Sequence, residues 1–472
     1  MIKFLIRLWN SPTLTTWASL VVISTNTIVV LPMVLVKFSS IETKIYLILI
    51  TIGQLKNIFD FGLKENLSRL FSYANAGVNN LNVLPMESED NKSNIDLLST
   101  LFTRAQVYYK YIFGLSLLFI SLLTYFSLRG SIENEMSFWY ACIAMTVGSS
   151  FFLYSNLYLS FLIGMNKVAL VKKWEVLLKG LSSASLIVVM FVRPTLLNFM
   201  LVMNAWILIN FFNYYFLSKR FRVKKGQNKA MSNNEIDKVV FSLAWKSFIS
   251  GLAGTGTQQG LNILIANIVP IDMANSYLLT DKIFGQLKEI SRAPFYSKIP
   301  QFAKLRGKGQ ISTMVKKVRF SMMFSYVVII IGLIGLLFLG NVLLDLIESK
   351  VKLVNRDTFY LMSIFLLIER FTAMHTQLYT FMNNAIIGYF RLITIGLVTI
   401  LLVYLLFPYF SIKALPLASV FAYLLLLSPY VSRKNYSTMA QSFYSFEKKL
   451  FIPVLILFSV LIFLYELFIS HT

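Results

Sequence analysis

Between Ala274 and Leu305 the chain reads ANSYLLTDKIFGQLKEISRAPFYSKIPQFAKL, and Asp281, Lys282, Lys288, Glu289 and Arg292 carry charge in surroundings that are otherwise apolar. Read as a helix, Asp281, Gly285, Lys288, Glu289 and Arg292 fall at i, i+4, i+7, i+8 and i+11, which places them on one face. Tyr277, Leu278, Ile283, Phe284, Leu287 and Ile290 form the opposite face, able to touch lipid or another helix. At the centre of a bilayer each ionised group costs ~2.5–3.5 kcal/mol. A charged line of this kind therefore has to look onto a wet cavity inside protein. Asp281 would lie ~12 Å below the outer boundary at ~1.5 Å per residue, too deep for its carboxylate to reach outside water.

Other charges sit in similar surroundings. Lys56, Asp60 and Lys64 follow at i, i+4 and i+8, with Gln54 and Asn57 nearby. Lys246 shares a helical face with Ser250, Gly254 and Thr257, while Glu369, Arg370, Thr372, His375, Thr376 and Gln377 crowd one apolar run. Arg391 lies in the next run and Asn26 in the first. For Lys64, Lys246 and Arg391, near run ends, snorkelling to the interface is an equal reading. Glu369 and Arg370 could form a self-compensating structural pair. The whole set is net cationic, so a wet cavity it lines attracts an anionic group, most naturally a phosphate. A diphosphate moving about two charges outward would gain ~4–5 kcal/mol from ~100 mV, interior negative, so export could proceed without ATP. If a proton or Na⁺ moves in exchange, Asp60, Asp281, Glu289 and Glu369 are the coupling candidates.

The elements that must hold these residues follow from composition. Of 472 residues, 57% are hydrophobic and only 14% charged, against roughly 25% charged in a soluble protein, and mean hydropathy is +0.67. The class is an all-α integral membrane protein. Apolar spans of ~20 residues are expected at Trp17–Val36, Tyr46–Phe61, Ala105–Tyr125, Phe138–Ile163, Val168–Val192, Thr195–Leu217, Val239–Ile268, Met273–Ser297, Phe320–Leu343, Phe359–Met382, Ile386–Phe407, Ile412–Tyr430 and Leu450–Ser470. The first is read as retained, because no small-residue cleavage site follows MIKFLIRLWNSP. The net charge of +23 would raise nucleic acid for a soluble protein. Here alternate loops carry it: Lys64 and Arg69, Lys167 to Lys173, Lys219 to Lys229, Lys298 to Arg319, and Arg433 to Lys449. That bias places the N-terminus in the cytoplasm and speaks for anionic lipid as neighbour, with no nucleic acid.

The polar linker 218–238 divides the chain into an N-terminal six-helix lobe, 1–217, and a second, 239–432; residues 433–472 add a basic loop and an extra helix. Leu63-Lys64-Glu65-Asn66-Leu67-Ser68-Arg69 and Leu287-Lys288-Glu289-Ile290-Ser291-Arg292 echo each other at the ends of spans two and eight, as parallel internal repeats would. The other polar linker, Gly77 to Arg104, is expected to be solvated. No G-x-x-x-x-G-K-[ST], G-x-S-x-G or H-E-x-x-H occurs, and outside loops are too short for a catalytic domain. GLAGTGTQQG, Gly251–Gly260, lies within a span and there serves close packing or a bend. One cysteine, Cys142, excludes an intrachain disulfide, and His375 with His471 argues against zinc or haem. Neither an enzyme nor a bound cofactor is expected.

Asp60-Phe61-Gly62-Leu63 running into Ser68-Arg69-Leu70-Phe71-Ser72-Tyr73-Ala74, Thr15-Thr16-Trp17-Ala18 with Leu31-Pro32, and Tyr277 before Ile299-Pro300-Gln301-Phe302-Ala303 resemble bacterial polysaccharide flippases of the O-antigen, Wzx-like group. That group belongs to the multidrug/oligosaccharidyl-lipid/polysaccharide exporter superfamily. The resemblance implies two six-helix lobes around a central hydrophilic cavity in the bacterial cytoplasmic membrane. It implies movement of an undecaprenyl-diphosphate-linked oligosaccharide, an O-antigen or capsule unit for lipopolysaccharide or other surface polysaccharide biosynthesis, to the outer leaflet by alternating access. Lys56, Lys246, Lys282, Lys288, Arg292 and Arg370 would then receive the pyrophosphate and acidic sugars, with other polysaccharide-assembly proteins as partners. The apparent thirteenth span departs from that family's twelve or fourteen. The alternatives are a cation-coupled multidrug exporter of the same superfamily, for which an acid-dominated cavity is expected, and a polysaccharide polymerase or ligase, for which a large outside loop is expected.

Overall fold

The computed structural model describes residues 29–77, 93–132, 135–222, 232–296, 298–299, 302, 305, 310–383 and 389–470. The expected readings on Thr15–Ala18, Asn26, Pro300, Gln301, Ala303 and on residues 78–92 and 223–231 of the two linkers lie outside them. The described residues are predominantly helical, without a strand. Contacts divide the chain into two compact units, Met1–Ile271 and Asp272–Thr472.

In the first unit the helices are α1 Leu31–Lys37, α2 Ser40–Leu55, α3 Leu63–Asn75, α4 Ile95–Leu128, α5 Met136–Gly164, α6 Val168–Val192, α7 Leu196–Lys219, α8 Asn233–Gly251 and α9 Thr257–Ile268. Each start that matters has its own cap. Ser39 accepts from the Glu42 backbone N–H at 3.2 Å, while Glu42 accepts from Ser39 at 2.9 Å, satisfying N–H groups the helix cannot. The same Glu42 accepts from Leu196 N–H at 3.3 Å, tying the start of α2 to that of α7. Ser232 and Glu235 repeat this reciprocal cap on α8. α5 packs along α7, and the close approach depends on Gly148, where a Cβ would meet the Asn204 side chain. Seryl hydroxyls join neighbours across α4 and α5, with Ser116 Oγ donating to Ser150 Oγ at 2.9 Å. Such small polar contacts hold helices together where lipid removes any hydrophobic drive between them.

The second unit contains α10 Ile271–Tyr296, α11 Ile311–Leu346, α12 Arg356–Asn383, α13 Tyr389–Phe410, α14 Ala414–Ala422, α15 Ser428–Met439, α16 Phe443–Glu447 and α17 Phe451–Ser470. Val354 N–H donates to Thr280 Oγ1 at 3.1 Å, fixing the chain before α12 against α10. Phe284 of α10 meets Phe359 of α12 edge-on at 5.2 Å. On both units large apolar side chains face outward: Phe191 is 71% exposed, Phe320 72% and Leu346 78%. Water would punish that arrangement and hydrocarbon rewards it. Among the described residues, seven helical runs are long and apolar enough to cross a membrane by length and composition alone: 40–75, 95–128, 136–164, 168–192, 196–219, 311–346 and 391–439. α10, with Asp281, Lys282, Lys288, Glu289 and Arg292, and α12, with Glu369 and Arg370, stay off that count.

Candidate functional site: buried charges on α10 and α12

The charged face of α10 meets α12. Lys288 Nζ is bonded to Glu369 Oε1, and the Glu369 side chain is only 12% exposed. Arg370 is buried and donates from Nη1 to the Lys288 carbonyl oxygen at 3.4 Å; its Nε has no hydrogen-bond partner among the described residues. One turn on from Lys288, Arg292 pairs with Glu289 at 3.8 Å and lies over the Tyr296 ring, 4.7 Å from its centre. Both act electrostatically on Arg370. Lys288, Arg292 and Arg370 thus outnumber Glu289 and Glu369, so the cluster keeps a positive excess. Asp281 and Lys282 stand half-buried two turns earlier on the same helix. Glu369 takes Lys288, on another helix, as its ion-pair partner, and it also acts electrostatically on Arg370 beside it.

In the first unit the expected line Lys56–Asp60–Lys64 does not exist as a helical face. Lys56–Asp60 is a 3₁₀ turn, and Phe61 and Gly62 both take left-handed backbone, φ 54° and 62°, before α3 begins. Two residues at positive φ reset the helical phase. Gly62 is required twice, by its φ and by Ser247 of α8, which a Cβ would strike. Phe61 stacks on Phe248 at 4.5 Å and holds the break in place. The break buries Asp60, whose Oδ1 accepts from Tyr109 Oη at 3.0 Å and Asn156 Nδ2 at 2.9 Å; Oδ2 accepts from Lys64 N–H at 2.9 Å. Lys56 lies with its ammonium 4.1 Å from the centre of the Phe152 ring, and Lys64 approaches Glu65 at 4.0 Å. Lys246 is half-buried on α8, beside the Ser247 that crowds Gly62. Within Gly251–Gly260, residues 252–256 widen into a π-turn between α8 and α9, and a Cβ at Gly256 would come within 3.2 Å of Ile58. The Leu63–Arg69 and Leu287–Arg292 segments differ locally, one opening a helix after the break, the other inside continuous α10.

Three clusters carry chemistry that sequence spacing did not announce. Arg104 of α4 forms an ion pair with Asp237 of α8, its Nε 3.0 Å from Oδ1, and Tyr108 Oη donates to the same carboxylate. Asp237 precedes the expected seventh span; burial pushes its carboxyl up, but the Arg104 and Tyr108 hydrogen bonds outweigh this and hold it below the ordinary range. In the second unit His375, fully buried, has Nε2 3.2 Å from Glu447 Oε1 and Nδ1 3.2 Å from Asn435 Nδ2. Asn435 Nδ2 also donates to the His375 carbonyl at 2.6 Å and Tyr436 Oη to Glu447 Oε1 at 2.7 Å. Since Nδ1 faces a donor, the network selects the tautomer with hydrogen on Nε2. Third, Arg222 is enclosed by aromatic rings at the end of α7. Only the first of these had a local cue: Ser232-Asn233-Asn234-Glu235, a capping box announcing a helix start in front of Asp237.

No family model and no curated protein matches this sequence. Solved structures do. An inward-facing multidrug resistance MATE family transporter of the MOP superfamily aligns over 87% of this chain and 94% of its own, with a TM-score of 0.61 and 9% identity. MATE in complex with MaD3S aligns over 92% and 99%, with a TM-score of 0.55 and 10% identity. A MOP superfamily transporter from Pyrococcus furiosus, described by the reverse polarity of its binding pocket, aligns over 93% and 99%, also at 0.55 and 10%. This chain has the membrane-helical fold of those transporters.

Proposed function

We propose that this protein is a secondary transporter of the MOP type, working by alternating access without a catalytic step. The observation that carries the reading is the ion-paired cluster of Lys288, Arg292, Glu369 and Arg370 within helices of an otherwise lipid-facing bundle. Charges at such a place are costly and mark substrate or ion pathways. The similar structures include some described as multidrug transporters, which supports export of amphipathic small molecules ahead of the lipid-linked oligosaccharide flippase that the sequence motifs put first. Glu369, Asp281, Glu289 and Asp60 are then the coupling candidates.

A flippase is the second reading, and one observation favours it: Lys56, Lys246, Lys282, Lys288, Arg292 and Arg370 outnumber the four carboxylates, as an anionic pyrophosphate requires. The test is a pair of assays on one host lacking its own exporters and its own flippase. Expression that confers resistance to cationic dyes, lost in Glu369→Gln, supports the exporter. Restored surface polysaccharide, lost in Lys288→Ala and Arg292→Ala with protein levels unchanged, supports the flippase. Neither phenotype, with the protein present in the membrane, counts against both.

A further inference from the structure

Where α4 begins and α5 and α7 end, the first unit holds a cavity of about 160 Å³. Leu98, Phe102, Phe161 and Met165 make its apolar walls, and Arg222 with the hydroxyl-bearing Ser99 and Thr103 makes its polar side. The Arg222 guanidinium is clasped by three ring faces, its carbon 4.5 Å from the centre of Phe102, 5.2 Å from Tyr215 and 5.3 Å from Tyr158. Nη2 donates to Ser218 Oγ at 2.9 Å, and Nε is buried with no hydrogen-bond partner. Among the described residues no carboxylate forms an ion pair with Arg222. Ring faces orient a guanidinium without neutralising it. Among the described residues, what results is a fixed positive charge without an ion-pair partner beside a mostly apolar hollow.

We propose that this cavity binds the head of an anionic glycerophospholipid, its phosphate on Arg222 and its glycerol and first chain carbons along the apolar walls. Depth supports this occupant. The cavity lies at the first turn of one spanning helix and the last turns of two others, the level at which phosphates of a leaflet sit. Basic pockets between helix ends are suited to such heads. Ser99 and Thr103 give their hydroxyl hydrogens to backbone carbonyls at 3.0 Å, leaving oxygens that accept from head-group hydroxyls. The site is separate from the charged cluster of α10 and α12, so its failure would leave the proposed transport untouched.

The experiment is native mass spectrometry of the full, delipidated chain titrated with phosphatidylglycerol, phosphatidylcholine or inorganic phosphate. One tightly held phosphatidylglycerol is expected, with binding weakened roughly tenfold in Arg222→Gln, the loss of one charge-assisted contact. Thr103→Phe narrows the cavity while leaving Arg222 and its three rings in the sequence, and is expected to weaken binding as much, so a fold defect in one variant does not decide the matter. Equal retention of phosphatidylcholine, displacement by millimolar phosphate alone, or undiminished binding in both variants would overturn the proposal.

Discussion

Asp60 is held by a hydroxyl, an amide and a backbone N–H, and each donor loses its acceptor if the carboxylate goes. A buried donor left unpaired costs ~1–3 kcal/mol, so Asp60→Ala is expected to lower stability by about 3 kcal/mol or more, and Asp60→Asn by distinctly less, since one side-chain oxygen survives. Melting of the purified protein in detergent measures both; an Asp60→Ala protein as stable as the parent would show the network to be incidental. Asp237 is different in kind, being about a third exposed beside Arg104, and solvent screening limits Asp237→Asn to about 1 kcal/mol. Because its carboxyl titrates below the ordinary value, its contribution is complete above ~4 and disappears as pH falls through the depressed value. The gap in melting temperature between parent and Asp237→Asn is therefore expected to stay constant from pH 8 to pH 5 and to close only in stronger acid.

At the scale of elements, α10 and α12 are joined by Lys288 and Glu369. The Lys288 side chain is 34% and that of Glu369 12% exposed, so breaking the pair strands a charge that is only partly screened by solvent. Lys288→Glu and Glu369→Lys are each expected to abolish transport, and the double exchange to recover a measurable part of it, because the pair survives reversed. No recovery, with both proteins correctly inserted, would mean that Lys288 acts on something other than Glu369. The charged face of α10 was legible because a 3.6-residue period shows within one stretch of sequence. Its partner was not, since a contact between helices about eighty residues apart leaves no spacing to read. The same holds for His375 and Glu447, a lone acid before two lysines. Asp60-Phe61-Gly62 contains a cue, a glycine directly after a span, which the helical spacing Lys56–Asp60–Lys64 passes over. Helix length was underestimated wherever polar residues continue a helix past the apolar core, as in α4, expected from Ala105 but starting at Ile95. The apolar runs, so far as the described residues cover them, are largely helix, the first only from residue 29 onward, because in hydrocarbon the backbone polar groups must be satisfied within the segment.

For the molecule as a whole, composition alone separated membrane from soluble, and the similarity to solved MOP transporters fits that class; substrate polarity is what composition left open. The two readings differ in the sign of the charge that crosses. An anionic lipid-linked diphosphate leaving the cell moves with an inside-negative potential and gains ~2.3 kcal/mol per charge from ~100 mV. A cationic drug leaving the cell moves against the same field and needs a counter-moving proton or Na⁺. In proteoliposomes with a potassium-diffusion potential, the flippase reading therefore expects outward movement of a fluorescent lipid-diphosphate to accelerate as the interior is made negative, with no ion gradient present. The exporter reading expects dye efflux to stall under that potential and to resume when a proton or Na⁺ gradient is imposed, with Glu369→Gln abolishing the resumption. Movement of either probe that ignores both potential and gradient would show that the charges on α10 and α12 bind their ligand without coupling its passage to the field.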